Sequence, residues 1–370
     1  MTMTRSLWIA ATAVAAIVGL TGCERLPVDT VQVGYRGTGM EQVTNPRIAK
    51  SIEAANTAPA PLDPAEASGP KAKQVYQNVK VLGDLSVAEF NRLMVAMTQW
   101  VAPEQGCAYC HNVQNFADDS LYTKVVARSM TQMTQTINAK WQVHVGATGV
   151  TCYTCHRGKN LPTKLWFTEP DAKVAGRLLG NNFGANRAGV EANANSSLPI
   201  DPYTPFLLED KPIRVIGDTA LPTGNRKSTM QGEWTYALMM HMSQSLGVNC
   251  TFCHNSRAFA EWEQSPPARA TAWHGIRMVR EVNNEFIVPL TPIQPANRLG
   301  PTGDIGKVNC ATCHQGVGKP LYGQSMLKSH PELSGPNHLL KTTTGPGPVP
   351  KQATVEATAT ATATATAKAN

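Results

Sequence analysis

The sequence predicts a mainly α-helical, loop-rich fold, and three observations predict it. Apolar residues recur at helical spacing in three stretches of the 370-residue chain, and a fourth, at about residues 236–242, is too rich in Met and His to resolve by periodicity. Each stretch leads, through a loop, to the same Cys-x-x-Cys-His pattern. Scattered among them are 29 glycines and 26 prolines, which punctuate the chain too often for a large regular sheet. Charged residues make up 16%, well under the usual share of about 25%, so surface charge does not organise this chain. Its net charge of +7 is spread without a Lys/Arg stripe interleaved with aromatics, which gives no case for a nucleic-acid partner.

The elements follow in order. Residues 1–22 hold Arg5 and then an apolar run, shorter than the roughly 20 residues of a comfortable spanning helix and suited to a secretory signal. The run ends in Leu20-Thr21-Gly22-Cys23, a bacterial lipobox pattern in which the Cys23 thiol takes a diacylglycerol and becomes the mature N-terminus. Two acyl chains anchor stably where one does not. A retained helix would serve the same need. Residues 23–86 form an N-terminal segment before the first helical stripe.

Ser86 and Glu89 then make a capping-box start, followed by Phe90, Leu93, Met94, Met97 and Val101 on one face. A longer stripe, Tyr122, Val126, Met130, Met133, Ile137 and Trp141, comes after Asp119 and Ser120 as the start signal. Residues 157–230 are Asn- and Pro-rich, an irregular connection with no chemistry to assign. Tyr236-Ala-Leu-Met239-Met240-His241-Met242 opens the third stretch, and residues 267–286 carry Trp273, His274, Ile276, Met278 and Val279 in the fourth. From residue 341 the chain turns Pro-rich and then alternates Ala and Thr, with nothing to bury, which predicts a disordered tail.

Nine cysteines in an exported chain first suggest disulfides, with Cys23 the odd one. The spacing says otherwise. The other eight fall in pairs, each followed at once by histidine: Cys107 and Cys110 with His111, Cys152 and Cys155 with His156, Cys250 and Cys253 with His254, Cys310 and Cys313 with His314. This is the attachment pattern of c-type haem, in which the two thiols add to the vinyl groups and the histidine becomes a ligand of the iron. Structural zinc needs two nearby pairs closing one tetrahedron and no invariant histidine, and thioredoxin-like motifs come singly. The sequence therefore predicts four covalently bound haems.

Function then turns on the sixth ligand, because an open position binds small molecules whereas a Met or His there leaves only electron transfer. Each preceding helix offers candidates. His144, His241, His274, His330 and His338 lie outside the motifs, and position alone does not choose among them.

The stretches Val75-Tyr76-Gln77-Asn78-Val79-Lys80-Val81-Leu82-Gly83, Gly149-Val150-Thr151-Cys152-Tyr153-Thr154-Cys155-His156-Arg157-Gly158 and Gly275-Ile276-Arg277-Met278-Val279-Arg280, with the four motifs, resemble the tetrahaem cytochrome c subunit of the photosynthetic reaction centre of purple bacteria. The resemblance covers about residues 24 to 340. It implies an electron-transfer subunit rather than an enzyme, on the periplasmic face of the inner photosynthetic membrane. There it would relay electrons from a soluble cytochrome c or high-potential iron-sulfur protein to the bacteriochlorophyll special pair of the L and M subunits. It implies two pseudo-symmetric haem-pair halves, 87–156 and 231–340, joined by 157–230. Carried over by position, it implies Met94 with His111, Met130 with His156, Met239 with His254, and, from the other half of the chain, His144 with His314. His274 and Met278 would then be packing. The third haem would lie nearest the special pair, and electrons would enter near the first.

A thioether favours ferrous iron and raises the potential, whereas a second imidazole lowers it. The fourth haem is accordingly the low one unless nearby charges compensate, and Arg269, Arg277 and Arg280 are candidates for that role.

Overall fold

The computed structural model describes residues 28–170, 198–215 and 229–335. The expected signal segment, Cys23 and the 341–370 tail lie outside the described residues, as do 171–197 and 216–228 of the connecting segment. Helices and irregular loops make up the described chain, apart from one two-stranded sheet and isolated bridges.

That sheet opens the N-terminal segment. Strands β1 (Asp29–Val33) and β2 (Met40–Thr44) pair antiparallel, Asp29 opposite Thr44 and Val33 opposite Met40. A lone hairpin is marginal in water. This one is held from outside: the Thr251 hydroxyl donates to the Val33 carbonyl and accepts from the Met40 N–H at 3.0 Å, and the Asn249 amide donates to the Met40 carbonyl at 2.9 Å. Helix α1 (Pro46–Ala55) follows, started by Asn45, whose side chain accepts from the Arg47 N–H.

Helix α2 (Val87–Val101) has the expected capping box: the Glu89 N–H donates to Ser86 Oγ at 3.1 Å, and the Ser86 N–H to the Glu89 carboxylate at 2.9 Å. It buries Leu93, Ala96 and Trp100. Helix α3 (Tyr122–Lys140) starts differently from the sequence expectation. Leu121 is its N-cap and makes no side-chain bond. Ser120 bonds Asp118 instead, and Asp119 is drawn to Lys80, Lys124 and Arg128. Charge-assisted bonds to three cations outweigh those to backbone N–H groups.

Short helix α4 (Cys152–His156), α5 (Thr229–Leu246), α6 (Ala268–Glu281) and short helix α7 (Cys310–His314) follow, beside the single-turn helices Ala72–Val75 and Gln142–Val145. The main core joins Ile137 and Trp141 of the α3 end to Leu238 of α5 and to Ile276, Met278 and Val279 of α6. Trp166, Tyr203, Phe206 and Leu207 complete it. The connecting segment, from which no chemistry was expected, therefore supplies large buried side chains where the stretches on either side of it meet. A second cluster packs Leu93, Ala96 and Trp100 against Cys152 and Leu333. Among the described residues no helix is long and apolar enough to cross a membrane.

Candidate functional site

The four motifs adopt two local geometries. The first and third are 3-10 turns, Gly106–Tyr109 and Cys250–Phe252, whereas the second and fourth are the helices α4 and α7. In α7 the N-cap Asn309 forms a capping box with Thr312, and in α4 the Thr151 N–H donates to Thr154 Oγ1 at 2.9 Å. Beyond the histidine, Arg157 and Gln315 are left-handed, at φ +51° and +49°, and Gly158 and Gly316 follow at +76° and +88°. That reversal, which only glycine adopts without strain at its second step, brings a carbonyl back under the ring. His156 Nδ1–H donates to the Lys159 carbonyl at 2.9 Å and His314 Nδ1–H to the Val317 carbonyl at 3.0 Å. In the third motif His254 Nδ1–H donates to the Phe259 carbonyl at 3.0 Å, with the rings 5.3 Å apart. His111 and Phe116 repeat that ring pair at 5.1 Å.

A carbonyl only accepts, so Nδ1 carries the proton and Nε2 is left bare, the state of an imidazole that binds metal through Nε2. Burial keeps these rings neutral: it lowers the pKa of His111, His156 and His254, and with His144 nearby it pushes His314 down to about 4. Burial also pushes the thiols up, to about 12 at Cys152 and Cys310 and to about 11 at Cys110 and Cys253.

Three of the motifs face one cavity of about 1560 Å³. Cys107, Cys110 and His111, then Cys152, Cys155 and His156, then Cys310, Cys313 and His314 line it, together with Met94, Met97, Met130, Met133 and His144. Pockets for one drug-sized ligand run to roughly 1,000 Å³. A largely apolar space beyond that size, edged by cysteine sulfurs and bare imidazole nitrogens, fits more than one flat metal-bearing macrocycle. Of the third motif only Phe252 lines it, with Met242 and Leu246 of α5; Met239 is half-buried on the main core, and Thr251 is bound to the hairpin.

The structure sorts the other histidines. His241 is buried with both nitrogens engaged, Nδ1 3.2 Å from the Tyr203 hydroxyl and Nε2 3.2 Å from Ser245 Oγ, so it is a core residue. His330 is buried among Arg92, Glu332 and Trp100. His274 packs edge-on against Trp273 at 4.8 Å. His338 lies outside the described residues. His144, on the short helix Gln142–Val145, donates from Nδ1 to the Thr271 carbonyl at 2.9 Å, and its ring centre lies 6.1 Å from that of His314. That spacing admits one metal ion bonded at about 2 Å to a nitrogen of each ring.

Three fixing residues were not singled out from the sequence. Asn138 and Asn283 make the same clamp before the second and fourth motifs. Asn138 donates to the Val150 carbonyl at 2.9 Å and accepts from the Val150 N–H at 2.7 Å, and Asn283 does both with Val308 at 2.9 Å. Arg157 donates to the carbonyls of Thr154, Ala55 and Cys313, holding α1, α4 and α7 together. The recurrence of Asn between a helix end and a motif was the available signal for the first two.

At the motif cysteines too the structure departs from expectation: Cys155 and Cys313 are joined in a disulfide, their Cα atoms 4.5 Å apart. The packing of α4 on α7 brings these two thiols together. A disulfide and a thioether use the same sulfur, so haem attachment at these motifs starts from the reduced pair. Of the three arginines, Arg269 lies near the third motif, where its charge acts on both Cys253 and His254, and it stacks on Trp262 at 4.4 Å. Arg277 stacks on Trp273 at 4.6 Å, and Arg280 pairs with Asp210 at 2.5 Å.

Residues 24–334 match the family described as photosynthetic reaction centre cytochrome C subunit. The chain is 55% identical over 322 residues to the photosynthetic reaction center cytochrome c subunit of Rubrivivax gelatinosus, with 87% of each chain covered. It is 50% identical over 335 residues to that of Thermochromatium tepidum, covering 90% of this chain and 82% of the relative. With that of Roseobacter denitrificans the identity is 42% over 346 residues, covering 89% and 91%.

Proposed function

Because the chain belongs to the photosynthetic reaction centre cytochrome c subunit family, we propose that it carries four covalently attached haems and re-reduces the photo-oxidised special pair of the L and M subunits. It is an electron-transfer component of the photosynthetic membrane and not an enzyme. Its place is the periplasmic face, held there by the lipid on Cys23. Its own donor is a soluble cytochrome c or a high-potential iron-sulfur protein.

The observation that carries this reading is the histidine geometry. Three motif histidines turn Nδ1–H to a backbone carbonyl and leave Nε2 for metal, and His144 stands opposite His314 with its own Nδ1 held by Thr271. When bound, each haem supplies one-electron exchange at its iron. The chain's residues would divide the tasks: the motif cysteines would hold the rings, and His111, His156, His254 and His314 would ligate the irons. Met94, Met130, Met239 and His144, in the same order, would supply the second ligand. Thioethers at three sites would raise the potential and the imidazole of His144 would lower it, while the cation of Arg269 would disfavour the oxidised state at the third. The second and fourth motifs sit side by side through α4 and α7. Electrons enter near the first and leave at the third.

The test is haem oxidation after a short flash in membranes, read in the α-band region. The expected result is fast haem oxidation matched in time to re-reduction of the special pair. Working reaction centres beside pre-reduced haems that do not respond to light would overturn the proposal and move the relay to respiration.

A further inference from the structure

The helices before the four motifs share a pair of positions, one turn apart. Helix α2 has Met94 and Met97, α3 has Met130 and Met133, and α5 has Met239 and Met242, whereas α6 has Gly275 and Met278. The asparagine clamps fix the register of α6 against α3, because Asn138 follows Met130 at the same chain distance as Asn283 follows Gly275, and both make the same bonds to the segment entering a motif. Glycine thus stands where α3 carries its first methionine.

No turn requires it there. Gly275 is buried within α6, where glycine disfavours helix relative to alanine. What requires it is an imidazole. A Cβ on Gly275 would lie 2.5 Å from His144 Cε1, 2.9 Å from Nδ1 and 3.1 Å from Nε2, closer than side chains pack. One turn earlier on the same helix, the Thr271 carbonyl accepts from His144 Nδ1–H.

We propose that Gly275 is the positioning residue that sets the ligand type at the fourth site. By presenting no side chain where α3 presents a thioether, it opens the space that His144 fills from the other half of the chain. The inference rests on the His144–His314 ligation proposed above, and the test separates the two.

The holoprotein is compared with Gly275→Ala, His144→Ala and the double variant His144→Ala/Gly275→Met. Haem content per chain, carbon monoxide binding, low-spin ferric spectra and the four midpoint potentials are measured. His144→Ala should lose the bis-histidine spectrum and bind carbon monoxide at one haem. The double variant should close that haem again, with a methionine-ligated spectrum and a potential above that of the wild type. Gly275→Ala should lose or shift the bis-histidine spectrum while keeping all four haems.

An unchanged bis-histidine spectrum and unchanged potentials in Gly275→Ala, with His144→Ala behaving as expected, would overturn the role of Gly275 alone. A bis-histidine spectrum surviving in His144→Ala would overturn the ligation on which it rests. Should Gly275→Ala fail to mature, His144→Ala/Gly275→Ala relieves the clash, and its recovery supports the inference. Failure of that double variant as well would overturn it, since alanine is otherwise the better helix former.

Discussion

The guanidinium of Arg157, the residue after His156, donates to the carbonyl of Cys313 at 3.1 Å, so the second motif is tied to the fourth by a cation. The same group reaches Thr154 and Ala55 at 2.9 Å and Asn56 Oδ1 at 3.2 Å. Burial lowers its pKa to about 10, which leaves it charged at neutral pH.

Replacing it by Leu therefore removes both a clamp and a charge. Hydrogen bonds to charged groups contribute about 1.5–3 kcal/mol each and are not additive, so Arg157→Leu should destabilise the chain by roughly 2–4 kcal/mol. In the holoprotein, losing a cation near the second and fourth sites should lower their potentials by tens of millivolts, on the order of 1 kcal/mol of Coulomb energy. Thermal unfolding and a redox titration check the two effects separately.

Met239→Leu keeps apolar volume and deletes the thioether. The third haem should remain attached, bind carbon monoxide and fall in potential by on the order of 100 mV, a fraction of the roughly 0.8 V that axial ligands span. An unaltered titration with no carbon monoxide binding would reassign that ligand to Met240 or Met242.

The asparagine clamps should be costly to lose. Asn138, 3% exposed, also donates to the Leu333 carbonyl at 2.8 Å, and Asn283, wholly buried, to the Leu207 carbonyl at 3.2 Å. Alanine at either position leaves buried backbone groups unpaired, which costs roughly 2–3 kcal/mol. Denaturant unfolding of Asn138→Ala and Asn283→Ala should show similar losses, with haem occupancy falling first at the second site in one and the fourth in the other.

Asp119 carries a pH signature. Arg128, Asn78 and Lys124 hold its carboxyl far below the usual carboxylate range. A depressed folded-state pKa adds stability above the unfolded value of about 3.9 and loses it as pH falls toward the folded one. The wild type should thus exceed Asp119→Asn by a constant margin at neutral pH, and that margin should shrink progressively below about pH 4. Melting temperatures measured from pH 7 to pH 2.5 follow it.

Much of this molecule was legible because its chemistry is written in contiguous patterns. The Cys-x-x-Cys-His spacing, the Ser86–Glu89 box and the apolar stripes of α2, α3 and α6 are local, and local physics reads them. The start of α3 differs because Asp119 is taken by side-chain partners, Arg128, Asn78 and Lys124 above all, whose bonds a cap pattern does not show. The hairpin was missed because its strands are mostly exposed and gain their hold from Thr251 and Asn249 rather than from their own pattern. Trp166, Tyr203 and Phe206 sit in a stretch without periodicity, so their burial is a tertiary fact. The nearness of His144 to His314 is of the same kind, and only the family resemblance pointed to it.

The hairpin has a kinetic corollary. Its hold on Thr251 spans 218 residues, so the first described segment of the chain to be made is among the last that can find its place. Contacts of such reach are formed late and slowly, because the intervening loop must be closed before they reward it. Until residue 251 has emerged, β1 and β2 have no surface to rest on.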